Sequence, residues 1–330
     1  MGSYMKKCKL LVVLLSVLFA VFSNFHNLTA MDEDLKKLVE EQLKVRLKLN
    51  GYNGGIYCPI TINHTTLIDL LQEFASNECV ITKLYLKECT SIDWSKVDFE
   101  KLGKLLSNLE VLDLTETGID IRSLIKLLKT GLNKSLKRLN LSHCYKINLY
   151  EEAEVTELAE LLNNVEELDL CETVISLENC AILLKKGCKN LKKFDFRGLC
   201  LLDSSEAELT EFGKLLKNIE ILDFSRVRIN GPALTRLLKK CKKLKELRLK
   251  WWCNPMGWSE TNMAELTKAL NNVEILDLTN RGMDDLTLVT LLKGCKNLKK
   301  IILNGCSKVT EKKVRDLMIK YPNLKFNHDF

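Results

Sequence analysis

Cys144 directly follows His143, and a thiol beside an imidazole is the one adjacent pair in this chain with the makings of a nucleophile. The surrounding pattern argues against it. Cys144 closes the segment Leu136-Lys-Arg-Leu139-Asn-Leu141-Ser-His-Cys144, whose apolar places predict burial, and a buried thiol behaves as a small apolar residue. The other histidines, His26, His64 and His328, stand alone. None of the thirteen cysteines forms a Cys-x-x-Cys pair, so zinc-ligand spacing is missing. Adjacent carboxylates at Glu151-Glu152 and Asp284-Asp285 fall where helices are predicted to begin, and acids there favour the positive end of the helix dipole. There is no glycine-rich phosphate loop. The residues predict no catalysis, no cofactor and no metal.

Repetition positions these residues. The skeleton L-x-x-L-x-L-x-x-C has compatible copies beginning at Ile81, Leu109, Leu136, Val165, Leu191, Ile219, Leu244, Val273 and Leu298, a period of 25 to 29 residues. A looser copy is read at Tyr57, with Ile60 and Ile62, and a truncated one at Leu324. Self-similarity at this period marks a solenoid. The fourth and sixth places alternate with polar residues and predict a short strand with one buried face. Between strands, segments such as Glu157–Asn163 and Ala233–Cys241 carry apolar residues at helical spacing. Each unit is strand, turn, helix, turn, and buries its apolar face only by stacking on its neighbours.

Two kinds of repeat alternate. At the second motif position the charge changes sign at every step: Glu110, Lys137, Glu166, Lys192, Glu220, Lys245, Glu274, Lys299. Strands about 4.8 Å apart then place each glutamate between two lysines, a structural ladder that penalises a slip by one repeat.

On the strand pattern, the full helices, the cysteines three residues before a repeat (Cys188, Cys241, Cys295) and those at the ninth place (Cys89, Cys144, Cys306), the chain resembles the leucine-rich repeat family. It is closest to the ribonuclease-inhibitor-like and cysteine-containing branches, the latter known from F-box proteins. The resemblance covers roughly residues 57–326. It implies an α/β right-handed leucine-rich repeat solenoid, a horseshoe with parallel concave strands and convex helices, about ten repeats. It departs from the family at the ninth place, which is Thr117, Thr173, Leu199, Val227, Trp252 and Arg281 elsewhere, and no F-box-like segment is read before the repeats.

Residues 1–30 read as a secretory signal, with Lys6, Lys7 and Lys9 before the apolar run Leu10–Phe22; uncleaved, the run is an anchor. Residues 31–56 read as an N-terminal cap and 57–330 as the repeat domain. Removing the signal's three lysines lowers the net charge from +7 to +4, a balance that favours neither nucleic acid nor, once the signal is gone, a membrane. Cysteines at repeat-internal places, without terminal clusters, predict mostly free thiols. Sequons occur at Asn63, Asn133 and Asn140, and a glycan at Asn140 would obstruct the strand face.

The binding surface is expected on the third, fifth and seventh motif positions. The fifth row holds Asp113, Asp169, Asp195, Asp223 and Asp277, an acidic strip suited to a basic partner. It breaks at the repeat from Leu244, where Arg248 and Lys250 lead into Trp251-Trp-Cys-Asn-Pro-Met-Gly-Trp258. Tryptophan and arginine are enriched at binding hot spots. The residues chosen for partner contact are Arg248, Lys250, Trp251, Trp258, Asp169, Asp195 and Asp223. The whole reads as an exported monomeric protein that binds another protein, delivered by a parasite or bacterium into a host cell. The alternative is a substrate-recognition (adaptor) subunit of an intracellular ubiquitin-ligase-like complex.

Overall fold

The computed structural model describes residues 55–58, 60–76, 80–195, 197–199, 201–202, 204–251 and 260–329, all within one compact unit, Asn53–Phe330. The signal, nearly all of the N-terminal cap, Trp252 and Trp258 lie outside the described residues.

Thirteen strands occur there: β1 (Gly55–Tyr57), β2 (Lys83–Tyr85), β3 (Val111–Asp113), β4 (Arg138–Asn140), β5 (Asn148–Leu149), β6 (Glu167–Asp169), β7 (Val174–Ile175), β8 (Lys193–Asp195), β9 (Ile221–Asp223), β10 (Glu246–Arg248), β11 (Ile275–Asp277), β12 (Lys300–Ile302) and β13 (Lys325–Asn327). Eleven form one sheet in the order β1-β2-β3-β4-β6-β8-β9-β10-β11-β12-β13, and β5 and β7 form a separate pair. All pairings are parallel. Between them run α1 (His64–Ser76), α2 (Phe99–Leu105), α3 (Ile121–Lys129), α4 (Glu152–Leu161), α5 (Leu177–Lys186), α6 (Glu206–Leu215), α7 (Gly231–Leu238), α8 (Glu260–Ala269), α9 (Asp285–Gly294) and α10 (Glu311–Lys320). Among the described residues no helix is long and apolar enough to cross a membrane.

The register never slips. Leu84, Leu112, Leu139, Leu168, Phe194, Leu222, Leu247, Leu276 and Ile301 are successive partners at the fourth position, and all are buried. Each side chain so buried contributes about 1.5–3 kcal/mol. The first copy differs from its expected place. Ile56, not Ile60, pairs with Leu84, while Ile60 is exposed, so Tyr57 sits at the fifth position rather than the first. The truncated copy at Leu324 supplies β13, with Phe326 against Ile301.

The helices start on side-chain caps. Asp98, Asp120, Ser176, Asn230, Asp284 and Thr310 each accept a first-turn backbone N–H, and Ser205 with Glu208 forms a reciprocal capping box. Glu152 and Asp285 fall in first turns, as the dipole argument predicts.

The alternating ladder is present, but in pairs. Each lysine bonds the glutamate of the preceding repeat: Lys137 to Glu110 at 2.6 Å, Lys192 to Glu166 at 2.6 Å, Lys245 to Glu220 at 2.7 Å and Lys299 to Glu274 at 2.7 Å. A second lysine, where there is one, acts through space only, as Lys192 does on Glu220, whose carboxyl is held below its usual range first by the Lys245 hydrogen bond; Glu110 has Thr82 on its other side. The expected between-two arrangement is found in the third row instead, where Glu167 meets Arg138 at 2.6 Å and Lys193 at 3.5 Å.

Glu220→Lys removes the bond to Lys245 and sets a third cation between Lys192 and Lys245. Its melting temperature should fall by about 1–3 °C in low salt and recover toward the parent in high salt. Superimposable low-salt melts would show that the ladder contributes nothing.

Candidate protein-binding face

The fifth-position row is built by the turn that follows each strand. In six repeats its side-chain oxygen accepts the backbone N–H two residues on: Asp113 from Thr115 (3.0 Å), Asn140 from Ser142 (2.9 Å), Asp169 from Cys171 (2.9 Å), Asp195 from Arg197 (3.2 Å), Asp223 from Ser225 (2.9 Å) and Asp277 from Thr279 (3.0 Å). This is the local capping at which Asp and Asn excel. It corrects the expectation of a solvated acidic strip: Asp195, Asp223 and Asp277 are buried, because the carboxylate turns down onto its own backbone.

Buried like charges one strand apart need counterions. Arg197 Nε donates to both Asp195 oxygens, at 2.9 and 3.0 Å, and its Nη2 lies 3.7 Å from Asp169. Arg248 reaches Glu246 at 2.6 Å and Asp223 at 3.7 Å, and Lys250 reaches Asp277 at 3.1 Å. So the cations that break the row neutralise its members, and Arg248 and Lys250 have a structural task beside any contact with a partner. Asp169 meets its counterion, Arg197, only at 3.7 Å. Burial and the neighbouring Asp195 push its carboxyl up to about 6, and burial raises Asp195 as well, against the opposing pull of Arg197.

The thiol of Cys171 and the carboxylates of Asp169 and Asp195 lie within 4.8 Å of one another, a set that could ligate a metal. The residues present do not fit one. The guanidinium of Arg197 already occupies both oxygens of Asp195 and lies 3.7 Å from Asp169, so a cation stands where the ion would have to sit. His143 and Cys144 also part company. His143 turns outward, its Nδ1 2.9 Å from the Tyr145 hydroxyl, while the Cys144 thiol donates inward to the Leu114 carbonyl at 2.9 Å.

At the eighth position the backbone is left-handed in every full repeat: Glu88, Glu116, His143, Glu172, Gly198, Arg226, Trp251, Asn280 and Gly305 all have positive φ. The conformation throws these side chains onto the rim of the sheet. Arg226 reaches past Gly198 to lie 3.8 Å from Glu172. Trp251 has φ 53° and is 51% exposed. The structure therefore brings Arg248, Lys250, Trp251 and Asp223 to one place. Asp169 and Asp195 form a second group around Arg197, and Trp258 lies outside the described residues.

Sequence reasoning missed an aromatic pair on this face. Tyr57 and Tyr85 stack with ring centroids 4.2 Å apart and planes 2° apart. The pairing depends on Tyr57 being a fifth-position residue, and its neighbours Ile60 and Ile62 concealed that register.

No family model matches the chain. It is 30% identical over 104 residues to the F-box protein MAX2 homolog A of Petunia hybrida, a stretch of 31% of this chain and 14% of that protein. It is 25% identical over 148 residues to Coronatine-insensitive protein homolog 1a of Oryza sativa subsp. indica, 42% of this chain and 24% of that one. The matches thus span under a quarter of these relatives. In three dimensions the chain is similar to the leucine-rich repeat-containing protein LegL7 of Legionella pneumophila, with TM-score 0.57 and 18% identity over 82% of this chain and 92% of that one. Repeat, sheet and structural likeness give the chain a leucine-rich repeat solenoid fold, and the relatives it matches in part are similar in sequence to these repeats.

Two outcomes are expected from these sites. A carboxyl whose value is raised on folding contributes stability that is fully present below the unfolded value near 4 and lost as pH rises through about 6. Asp169→Asn keeps the acceptor, as Asn140 does naturally, so it should raise stability at pH 7–8 by about 1–2 kcal/mol and flatten the decline between pH 4 and 7. Urea midpoints across that range decide it, and a loss at pH 8 would mean that the Arg197 contact outweighs the repulsion. The nine described cysteines are free, and all but Cys58 are buried. Titrating the denatured, unreduced protein should find at least these nine thiols; a lower count would show that cysteines apart in the fold are oxidised.

Proposed function

We propose that this is an exported, non-enzymatic protein that binds another protein through the sheet face and rim around the repeat from Leu244. The observation that carries the reading is Trp251, half exposed on a left-handed rim position, next to the break in the aspartate row. A large aromatic held by a rigid backbone is the kind of anchor that dominates interfaces. Trp258, seven residues on in the sequence, belongs to the same reading, with Arg248, Lys250 and Asp223 as the polar surround of Trp251 and Asp169, beside the buried Asp195, as a second acidic contact. Export rests on residues 1–30, whose basic start and short apolar run have the form of a signal; release by a parasite or bacterium into a host cell would suit an unusual combination of signal and free thiols.

The second reading is an adaptor subunit that selects substrates for a ubiquitin-ligase-like complex, favoured by the similarity to an F-box protein. Mass measurement of the natural protein tests export by whether residues 1–30 have been removed. Affinity capture separates the readings further: enrichment of ubiquitin-ligase subunits supports the adaptor, and their absence beside a single enriched protein supports the first.

Trp251→Ala should weaken capture of that protein at least about tenfold, the equivalent of 1.4 kcal/mol, with an unchanged melt. Arg248→Ala should cost stability as well, because it strips Glu246 and Asp223 of their counterion. Full capture by Trp251→Ala would move the contact off this repeat.

A further inference from the structure

A net charge of only +7 conceals how the fold sorts its charges. Every strand of the main sheet is parallel, so each helix returns the other way and all helices end at the same edge. Cations occupy the last turns there, among them Lys126 and Lys129, Lys185 and Lys186, Lys214 and Lys293. Acids occupy first turns at the opposite edge, such as Glu152, Glu178, Glu206, Asp285 and Glu311. The helix dipole explains that much.

It does not explain the lysines beyond the helix ends. The stretch Lys239-Lys-Cys-Lys-Lys-Leu-Lys245 holds five lysines and no acid. Lys239 and Lys245 are paired, with Glu265 and Glu220. Lys240, Lys242 and Lys243 are exposed and have no ion pair among the described residues, and the same holds for Lys189, Lys217 and Lys296 on neighbouring turns. An open hollow of about 510 Å³ lies here, lined by Lys242, Lys243, Lys245 and Lys299, with Glu220 and Glu274 already bonded to the last two. The turn itself is pinned, since Asn272 Nδ2 donates to the Lys242 carbonyl at 3.0 Å. Uncompensated charge is thus presented on fixed backbone along an in-register edge.

We propose that this edge docks flat on an anionic lipid surface, a role beyond and independent of the protein-binding face. Three features select that occupant. The unpaired cations named are all lysine, compact point charges suited to a surface of anionic headgroups. None of the exposed large apolar residues falls in 126–137, 185–192, 214–220, 239–245 or 293–299, so these lysine-rich turns offer no aromatic on which to stack bases, as single-stranded nucleic acid binding requires; the one aromatic beside them, Tyr321 after α10, already lies under Lys320. The same turns have no exposed tryptophan or tyrosine anchor of the kind that makes a protein hot spot. The acidic opposite edge would orient the molecule with its sheet face upright and open.

The test is co-sedimentation of the full chain with phosphatidylcholine vesicles with and without about 30 mol% phosphatidylserine, in about 0.05 M and about 0.3 M salt. Binding should require phosphatidylserine and weaken in the higher salt. Lys240→Glu/Lys242→Glu/Lys243→Glu should lower it at least about tenfold, whereas Lys308→Glu/Lys312→Glu on the opposite edge should leave it unchanged. The milder Lys189→Gln/Lys296→Gln should give a smaller loss, which keeps the test valid if the triple variant folds poorly. Equal binding to neutral vesicles would assign it to the apolar N-terminal run and overturn the proposal. So would equal losses from both charge reversals, or retention of a single-stranded RNA oligomer without vesicle binding.

Discussion

Each strand of the main sheet is only three residues long, and its hydrogen bonding does not stop there. The sixth-position N–H donates to the next repeat's fifth carbonyl, as Leu86 does to Asp113, and the eighth to the seventh carbonyl, as Glu88 does to Thr115. The ninth N–H then folds back on the sixth carbonyl of its own repeat, as in Cys89 to Leu86. Making both connections requires the left-handed turn at position eight, a conformation that costs a residue other than glycine roughly 1–2 kcal/mol. Seven of the nine full repeats accept it without glycine: Glu88, Glu116, His143, Glu172, Arg226, Trp251 and Asn280. The ladder of backbone bonds and buried leucines outweighs that strain.

Exact translation of the motif converts every sequence position into a physical row. Apolar rows gain from this, because leucine stacks on leucine. Charged rows do not. The second row escapes by alternating sign, and the third sets Glu167 between Arg138 and Lys193. The fifth row has no alternation, since each aspartate is required to cap its own turn, and its compensation comes from cations, Arg248 within the row and Arg197 and Lys250 at the seventh position. One residue type can therefore answer to turn formation, charge balance and a binding partner together.

The functional surface follows from the same translation. A rigid backbone with a rim of outward side chains offers many positions for recognition at little conformational cost. Parallel strands and returning helices also give the unit two chemically different edges, which a total charge cannot reveal.

Much of the architecture was legible in the residues. Leucines at fixed spacing set strand, helix and register, because only one phase of an apolar pattern buries every leucine at once. Paired acids at Glu151-Glu152 and Asp284-Asp285 marked helix starts because carboxylates favour the positive end of the dipole. Cysteines at the ninth place were legible as buried for the same reason as the leucines. Long-range electrostatics were not. Whether Asp195 lies against Asp169 and Asp223, and whether Arg248 seeks a partner or Asp223, depends on distances between residues 25 or more apart in the chain, and these exist only after stacking. Nor could Tyr57 be placed before β1 had a neighbour to pair with. Local bonding and burial belong to the sequence; the balance of charges between repeats belongs to the tertiary structure, because it is the stacking that brings them within reach.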